Sequence, residues 1–223
     1  MSLRRIIIVD DHPLFRAALR QTLSSGDPSI QVEEAGDLAG LSAALEHNRD
    51  CDLVLLDLNM PGVRGFSGLL LLRAQYPDVP VMIISAVEDN GIIRRAFELG
   101  AAGYLHKSVG PVEIRRAIET VLAGEIFVPE GVTLEADDEQ SALMQRLASL
   151  TPQQVRVLMM LSDGLMNKQI AYELSISEAT VKAHVSAILQ KLDVDSRTQA
   201  VIAAARIEEG QFESLLSSGR NAG

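Results

Sequence analysis

The first 124 residues alternate short apolar runs with longer amphipathic segments. The runs are rich in Val, Ile and Leu, which is typical of strands buried on both faces, whereas the longer segments place apolar residues at helical spacing. The runs predict five strands, at Arg5–Asp10, Ile30–Ala35, Leu53–Asp57, Val81–Ser85 and Gly103–His106. The longer segments predict five helices, at His12–Ser25, Leu38–Arg49, Phe66–Tyr76, Glu88–Leu99 and Pro111–Leu122. This alternation predicts an α/β doubly wound, flavodoxin-like domain of parallel strands with helices on both faces.

The pattern changes after residue 124. Residues 125–147 combine glycine, proline and a cluster of acidic side chains, so we expect a solvated linker in which a short helix begins near Gln140. Residues 148–210 show no strand pattern and predict four short helices, with Thr151 and Ser177 as N-caps and Gly164 and Gly210 as stops. We therefore expect a small all-α domain there, followed by a disordered tail at residues 211–223.

Composition narrows the setting in which the chain works. The 223 residues suffice for one or two domains, and the single cysteine, Cys51, excludes an internal disulfide and fits a reducing compartment. Because no run reaches the roughly 18 apolar residues of a membrane span, we expect a cytoplasmic protein without a membrane partner. The net charge of −10 argues against non-specific binding of polyanions, yet three of the four lysines lie in the last third of the chain.

Polar side chains stand where the predicted strands end. The first strand ends in Asp10 and Asp11, the third in Asp57 and the fourth in Ser85, while Lys107 follows the fifth. Each residue alone has an ordinary explanation, as a turn former, helix N-cap or surface lysine. Together they fall at the edge where open α/β sheets bind ligands. Clustered carboxylates suit Mg²⁺, and a metal-bound carboxylate can act as a nucleophile toward phosphorus.

These residues lie in motifs that resemble the receiver domain of two-component response regulators. The matching pieces are "VDDH" (9–12), "LLDLNMPG" (55–62), "ISA" (84–86) and "GYLHKS" (103–108). The resemblance implies that Asp57 accepts a phosphoryl group and that Mg²⁺ is held by Asp10, Asp11, Asp57 and the backbone carbonyl of Asn59. It implies that Ser85 and Lys107 contact the phosphoryl oxygens and that Tyr104 is a switch residue that turns inward. One departure is Ser108, which stands where proline is commonest.

A phosphatase of the haloacid-dehalogenase type is the rival interpretation of this half. Such enzymes also carry a nucleophilic aspartate after an apolar strand, and their general acid is a second aspartate two positions later. That position holds Asn59 here, and an amide cannot donate or accept the proton. We therefore expect no free-standing enzyme, only self-phosphorylation and slow self-dephosphorylation of Asp57.

One predicted helix of the last third has a face suited to DNA. Apolar residues from Val181 to Leu192 form one stripe, while Lys182, Ala183 and Ser186 lie on the opposite, small and polar side. Periodicity alone leaves two interpretations open, a recognition helix for the major groove or an ordinary amphipathic helix of a bundle.

Residues 150–201 resemble the LuxR-type helix-turn-helix of the NarL/FixJ subgroup, with "LTP", "NKQIA", "LSISEATVKAHVSAI", "KL" and "SRTQA" in order. The resemblance implies DNA contacts from Lys168, Thr180, Lys182, Ala183, His184, Ser186 and Lys191, and pairing of two domains through Thr198–Ile207. Residues 150–210 hold six basic against seven acidic side chains, a net charge of −1. We therefore expect modest affinity per monomer and strong dependence on dimerisation. Members of this family often carry an Arg-Glu pair after "LTP", whereas this chain has Gln153–Gln154 there.

Together these features predict a DNA-binding transcription regulator that is controlled by phosphorylation. Its expected partners are a sensor histidine kinase or small phosphodonor, promoter DNA, a second copy of the chain when active, and RNA polymerase. The alternative is a DNA-binding regulator whose receiver is controlled by protein contacts and is not phosphorylated in vivo.

Overall fold

The structure is a computed structural model that describes residues 3–25, 27–47, 50–61, 63, 65–134 and 138–206. The predicted ends of helices at Arg49, Ile207 and Gly210, and the predicted tail at 211–223, lie outside those residues. The first part of the chain contains β1 (Arg4–Val9), α1 (Pro13–Ser24), β2 (Ile30–Ala35), α2 (Leu38–His47), β3 (Leu53–Asp57), α3 (Ser67–Gln75), β4 (Val81–Ser85), α4 (Asn90–Glu98), β5 (Gly103–His106) and α5 (Pro111–Leu122).

The five strands form one parallel sheet in the order β2-β1-β3-β4-β5. The order reverses between β1 and β3, which is where doubly wound sheets open a crevice for ligands at the carboxyl ends of their strands. The register pairs Val9 with Leu56 and Ser85 with His106, so four strands end at nearly the same level. The residues that follow these strands are thereby delivered to one edge.

The apolar runs are continuous because helices cover both faces of the sheet. Side chains alternate along a strand, so Leu53 and Leu55 pack on one face with α1 and α5, whereas Val54 and Leu56 pack on the other with α2, α3 and α4. Every residue of β3 and of β4 is buried. A polar residue at the end of either strand therefore sits on a rigid support.

Helix ends differ from the prediction by one or two residues, and capping explains one of them. The helix predicted from Glu88 begins at Asn90, because the Asp89 side chain accepts a hydrogen bond from the backbone N–H of Ile92 at 2.9 Å. The helix predicted at Pro111–Leu122 has those ends in the structure, with proline in its first turn.

The second part of the chain is helical, with α6 (Asp138–Ala148), α7 (Pro152–Ser162), α8 (Asn167–Glu173), α9 (Glu178–Leu192) and a final helical segment at 197–206. Thr151 and Gln154 form a reciprocal capping box at the start of α7, which gives Gln154 a structural role. None of the helices in the described residues is long and apolar enough to cross a membrane.

Helix α6 is longer than the short helix expected near Gln140. Met144 and Leu147 on this helix are fully buried, and α6 contacts α9 of the helical part as well as α3 and α4 of the sheet part. Its acidic N-terminal composition marks it as a linker in the sequence, but its apolar C-terminal half packs as a core element.

Candidate functional site

The carboxyl edge of the sheet brings together five of the predicted site residues. Asp10 follows β1, Asp57 ends β3 and Ser85 ends β4, and all three are 1% exposed or less. Asp11 and Lys107 lie beside them at the same edge and are half-buried. Buried carboxylates are rare unless they are paired, so this edge is built for an interaction with a cation.

Lys107 supplies a positive charge inside the cluster. Its Nζ donates a hydrogen bond to Asp57 Oδ2 at 2.8 Å and forms an ion pair with Asp10 Oδ2 at 2.7 Å. The ammonium also lies 4.8 Å from the centroid of the Phe15 ring, a cation–π contact. One ammonium thus holds two buried carboxylates that belong to different strands.

Burial and charge act in opposite directions on these groups. Burial raises the pKa of Asp57 above its usual range, although Lys107 partly offsets that effect. Burial alone would lower the pKa of Lys107, but the Asp10 and Asp57 carboxylates outweigh it, and the pKa of the ammonium is raised. The ionised pair is therefore held together by charge in a site that disfavours an unpaired carboxylate.

The same edge can hold a divalent cation. Asp10, Asp11, His12 and Asp57 each offer a ligand atom, and these atoms lie within 4.8 Å of one another. Asp10 Oδ2 and Asp11 Oδ1 are buried oxygens without a hydrogen bond, and their close polar neighbours are Lys107 Nζ and His12 Nδ1, each at 2.7 Å. A donor set dominated by carboxylate oxygen fits Mg²⁺.

Two more residues contribute to this cluster. The backbone N–H of Asn59 donates to Asp57 Oδ1 at 3.1 Å, which orients the carboxylate. His12 is not among the predicted site residues, but its Nδ1 lies 2.7 Å from Asp11 Oδ1 and 3.1 Å from Asp10 Oδ1. Its position directly after the aspartate pair was the available signal.

Ser85 and Tyr104 meet at the loop that follows β4. The Ser85 hydroxyl accepts a hydrogen bond from the backbone N–H of Val87 at 3.2 Å, and the Tyr104 hydroxyl donates to the Val87 carbonyl at 2.8 Å. Tyr104 is 1% exposed, so its ring already points inward, and burial raises its pKa to about 12. Both side chains therefore hold the same loop residue.

The helical part contains a helix-turn-helix. Four residues separate α8 from α9, and the Ser177 side chain caps α9 by accepting a hydrogen bond from the Thr180 backbone N–H at 3.0 Å. Thr180, Lys182, Ala183 and Ser186 are exposed on α9, His184 is half-buried, and Lys168 is exposed on α8. The N-terminal half of α9 thus presents small and polar groups to solvent.

Two lysines of α9 have protein partners. Lys182 forms an ion pair with Glu178 at 3.2 Å, one turn earlier on the same face. Lys191 lies near the C-terminal end of α9, where its Nζ donates to the Ser149 carbonyl at 2.7 Å. The structure therefore separates Lys191 from the group at the start of the helix.

The site and the helix-turn-helix define a two-part regulator, and comparison with known proteins agrees. Residues 6–119 match the response regulator receiver domain, and residues 148–204 match the luxR family of bacterial regulatory proteins. The chain belongs to the response regulator family, in the branch that carries a luxR-type DNA-binding domain. It is a DNA-binding transcription regulator, and its family is one of regulators rather than of typical enzymes.

Similar proteins span nearly the whole chain. The glycerol metabolism activator of Pseudomonas putida is 42% identical over 213 residues, which cover 92% of this chain and 96% of that protein. The nitrate/nitrite response regulator NarP of Escherichia coli K12 is 39% identical over 201 residues, with 89% and 93% coverage.

Two solved structures support the fold. A LuxR family DNA-binding response regulator from Silicibacter pomeroyi superposes with a TM-score of 0.52 at 35% identity, covering 57% of this chain and 98% of that one. The two-component response regulator RcsB in a complex with DNA gives a TM-score of 0.55 at 22% identity, covering 92% and 98%. At that identity the second likeness shows the fold alone.

Proposed function

We propose that Asp57 accepts a phosphoryl group from a sensor histidine kinase or a small phosphodonor in the cytoplasm. The observation that carries this proposal is the place of its carboxylate, buried at the end of β3 and hydrogen-bonded at 2.8 Å to the Lys107 ammonium. A nucleophile toward phosphorus needs nearby positive charge to stabilise the transferring group, and the Lys107 ammonium supplies that charge at the carboxyl edge.

Mg²⁺ is the cofactor that the ligand set favours. Asp10, Asp11 and Asp57 would hold it together with the backbone carbonyl of Asn59, with Asp10 acting through a water molecule. When bound, the ion neutralises charge on the phosphoryl oxygens. Lys107 and the Ser85 hydroxyl contact the remaining oxygens, and Asn59, which is neither an acid nor a base, leaves hydrolysis of the phosphoryl group slow.

Phosphorylation acts on the rest of the chain through the loop after β4. A phosphoryl group would draw the Ser85 hydroxyl away from Val87, and Tyr104, which holds the same residue, would respond. The loop leads directly into α4, and α4 contacts α6. The switch therefore biases an equilibrium between this packed arrangement and a form free to dimerise.

DNA binding is the output of the second part. The active homodimer places two copies of α9 on promoter half-sites, paired through residues 198–207. The DNA contacts from α9 come from Thr180, Lys182, Ala183, His184 and Ser186. Lys168 contacts a phosphate from α8. Lys191 contacts DNA only if its hydrogen bond to the Ser149 carbonyl breaks. Residues 1–124 form the receiver unit, 125–147 the connection and 148–210 the DNA-binding unit, which also contacts RNA polymerase.

The first test addresses the phosphoacceptor. We expect wild type incubated with acetyl phosphate and Mg²⁺ to gain one phosphoryl group by intact-protein mass spectrometry, and Asp57→Ala to gain none. Asp52→Ala is the matched control, because Asp52 precedes the strand that Asp57 ends and lies at the opposite edge of the sheet. Continued stoichiometric labelling of Asp57→Ala would refute the assignment.

The second test separates this function from its alternative, a receiver that acts only through protein contacts. Band-shift titrations of promoter DNA with phosphorylated and unphosphorylated wild type should give different affinities. Asp57→Ala should behave as the unphosphorylated protein under both conditions. Equal affinities for the two forms of wild type would favour the alternative.

A further inference from the structure

His106 is a polar residue of the carboxyl edge that the proposed function does not use. It ends β5 and directly precedes Lys107, and its side chain is 22% exposed. It lies between two loops, one that follows β4 and begins after Ser85, and one that follows β5 and begins at Lys107. Both residues that are proposed to contact the phosphoryl oxygens adjoin these loops, because Ser85 directly precedes the first loop and Lys107 begins the second.

The imidazole of His106 joins the two loops through both ring nitrogens. Nε2 lies 2.9 Å from the Ala86 carbonyl, and Nδ1 lies 3.2 Å from the backbone nitrogen of Ser108 and 2.5 Å from its hydroxyl. A carbonyl can only accept and a backbone N–H can only donate. In this arrangement Nε2 donates to the Ala86 carbonyl, and Nδ1 accepts from the backbone N–H of Ser108.

Glu88 is the third group near Nδ1. Its Oε1 lies 3.2 Å from Nδ1, but a carboxylate cannot donate to a nitrogen that accepts from Ser108. The Glu88 side chain is 74% exposed. The contacts that fix His106 are thus those to Ala86 and Ser108.

The tie to Ala86 bears on the position of Ser85. Ala86 is flanked by Ser85, whose hydroxyl must face the phosphoryl group, and by Val87, which accepts from the Tyr104 hydroxyl at 2.8 Å. Tyr104 and His106 point to the same face of β5, since side chains two residues apart share a face. Strand β5 therefore holds two successive carbonyls of the loop with two successive side chains on that face.

We propose that His106 is a positioning residue for phosphoryl transfer. It holds the Ala86 carbonyl through Nε2 and so places the Ser85 hydroxyl for contact with the transferred group. This inference rests on the proposed function of Asp57 and Ser85 and extends it by one residue. The loss of the tie leaves Asp57, Lys107 and the metal ligands in place but frees the loop that begins directly after Ser85.

The first experiment uses three substitutions and a control in the full chain. The amide nitrogen of glutamine reaches the position of Nε2, whereas the asparagine amide reaches only that of Nδ1. We expect His106→Leu and His106→Asn to slow phosphorylation by acetyl phosphate about three- to tenfold, the loss expected for one hydrogen bond in the transition state. His106→Gln should stay near the wild-type rate, and so should His47→Leu, at the far end of α2. A wild-type rate for His106→Leu, or equal rescue by Asn and Gln, would overturn the proposal.

A double-mutant cycle tests whether His106 acts through Ser85. In a Ser85→Ala background the hydroxyl is gone, so His106→Leu should cause little further slowing. The same fold loss in both backgrounds would show that His106 acts by another route, and would overturn the positioning role.

A measurement on the unphosphorylated chain separates this proposal from the function on which it rests. Amide hydrogen exchange at Val87, whose N–H is bonded to the Ser85 hydroxyl, should accelerate in His106→Leu and His106→Asn but not in His106→Gln. Unchanged exchange in His106→Leu would contradict the tie whatever the phosphorylation result. If Asp57 fails to label in wild type, the proposed function falls, and the exchange pattern still decides whether His106 holds the loop.

Discussion

Lys107 Nζ donates to Asp57 Oδ2 at 2.8 Å, although the two residues are 50 positions apart and β4 lies between their strands. The long lysine side chain reaches back across the edge of the sheet to the carboxylate. The ammonium therefore sits where a transferred phosphoryl group would place its negative charge.

Neutralising Asp57 should stabilise the fold at pH 7. Burial raises the pKa of Asp57 above its usual 3.8, so the stability that its protonated form contributes is present below pH 3.8 and is lost as the pH rises through the raised value. Asp57→Asn is neutral at every pH and leaves Lys107 paired with Asp10. We expect it to raise the free energy of unfolding at pH 7 by about 0.5–2 kcal/mol in urea titrations. The gain should shrink as the pH falls toward 3.8, and a loss of stability at pH 7 would contradict the prediction.

Mg²⁺ should raise the melting temperature of the chain through Asp11. A ligand that binds only the folded state at a hundred times its Kd stabilises by about 2.7 kcal/mol, which thermal unfolding detects easily. Asp11→Asn should abolish most of that shift, because Asp11 is one of the carboxylates proposed to hold the ion and its ligand oxygen lies within 4.8 Å of the other ligand atoms. Asp78→Asn, an exposed carboxylate before β4, should keep the full shift. A full shift in Asp11→Asn would remove Asp11 from the ligand set.

Glu178 should weaken DNA binding. It pairs with Lys182 at 3.2 Å and brings a negative charge to the face proposed to meet phosphates. Glu178→Gln should tighten binding of promoter DNA about two- to fivefold, whereas Lys182→Gln should weaken it and reduce the slope of affinity against salt by about one. Fluorescence anisotropy across a salt series measures both, with Glu125→Gln in the connecting segment as the control. Weaker binding by Glu178→Gln would argue that this face does not meet DNA.

Cys51 should react slowly with alkylating reagents in the folded protein. Burial raises the pKa of its thiol to about 11, and the thiolate is the reactive species. The rate of modification by iodoacetamide should therefore be far below that of the urea-unfolded chain at pH 7.5, and should rise about tenfold per pH unit up to pH 10. As this is the single cysteine, mass spectrometry reports on it directly. Equal rates for folded and unfolded protein would show that the thiol is not buried.

Leu147 should contribute to the core although it lies in a segment of linker composition. Its side chain is fully buried on α6, so Leu147→Ala should lower the free energy of unfolding by about 2–5 kcal/mol. Leu134 is the matched control in the same segment, because it is 43% exposed and its truncation should have little effect. A mild effect of Leu147→Ala would show that α6 is not required by the fold.

The elements that could be predicted are those with a strong local signal. The all-apolar stretch of β3 requires burial on both faces, and the proline of Pro111–Leu122 and the Thr151 cap start their helices locally. Helix α6 was predicted only as a short helix because acidic residues dominate its start, and its burial depends on α3, α4 and α9, which are distant in sequence.

For the candidate site, the residue types at the strand ends follow from the sequence, since the apolar runs stop at Asp10, Asp57 and Ser85. The partners of these residues follow only from the fold. Only the strand order and register bring Lys107 to two carboxylates, turn His12 toward the aspartate pair and tie His106 to Ala86. The fold also places the Lys191 ammonium within hydrogen-bond distance of the Ser149 carbonyl. The physical reason is that hydrophobic periodicity records burial, whereas contacts between polar side chains depend on which elements become neighbours in space.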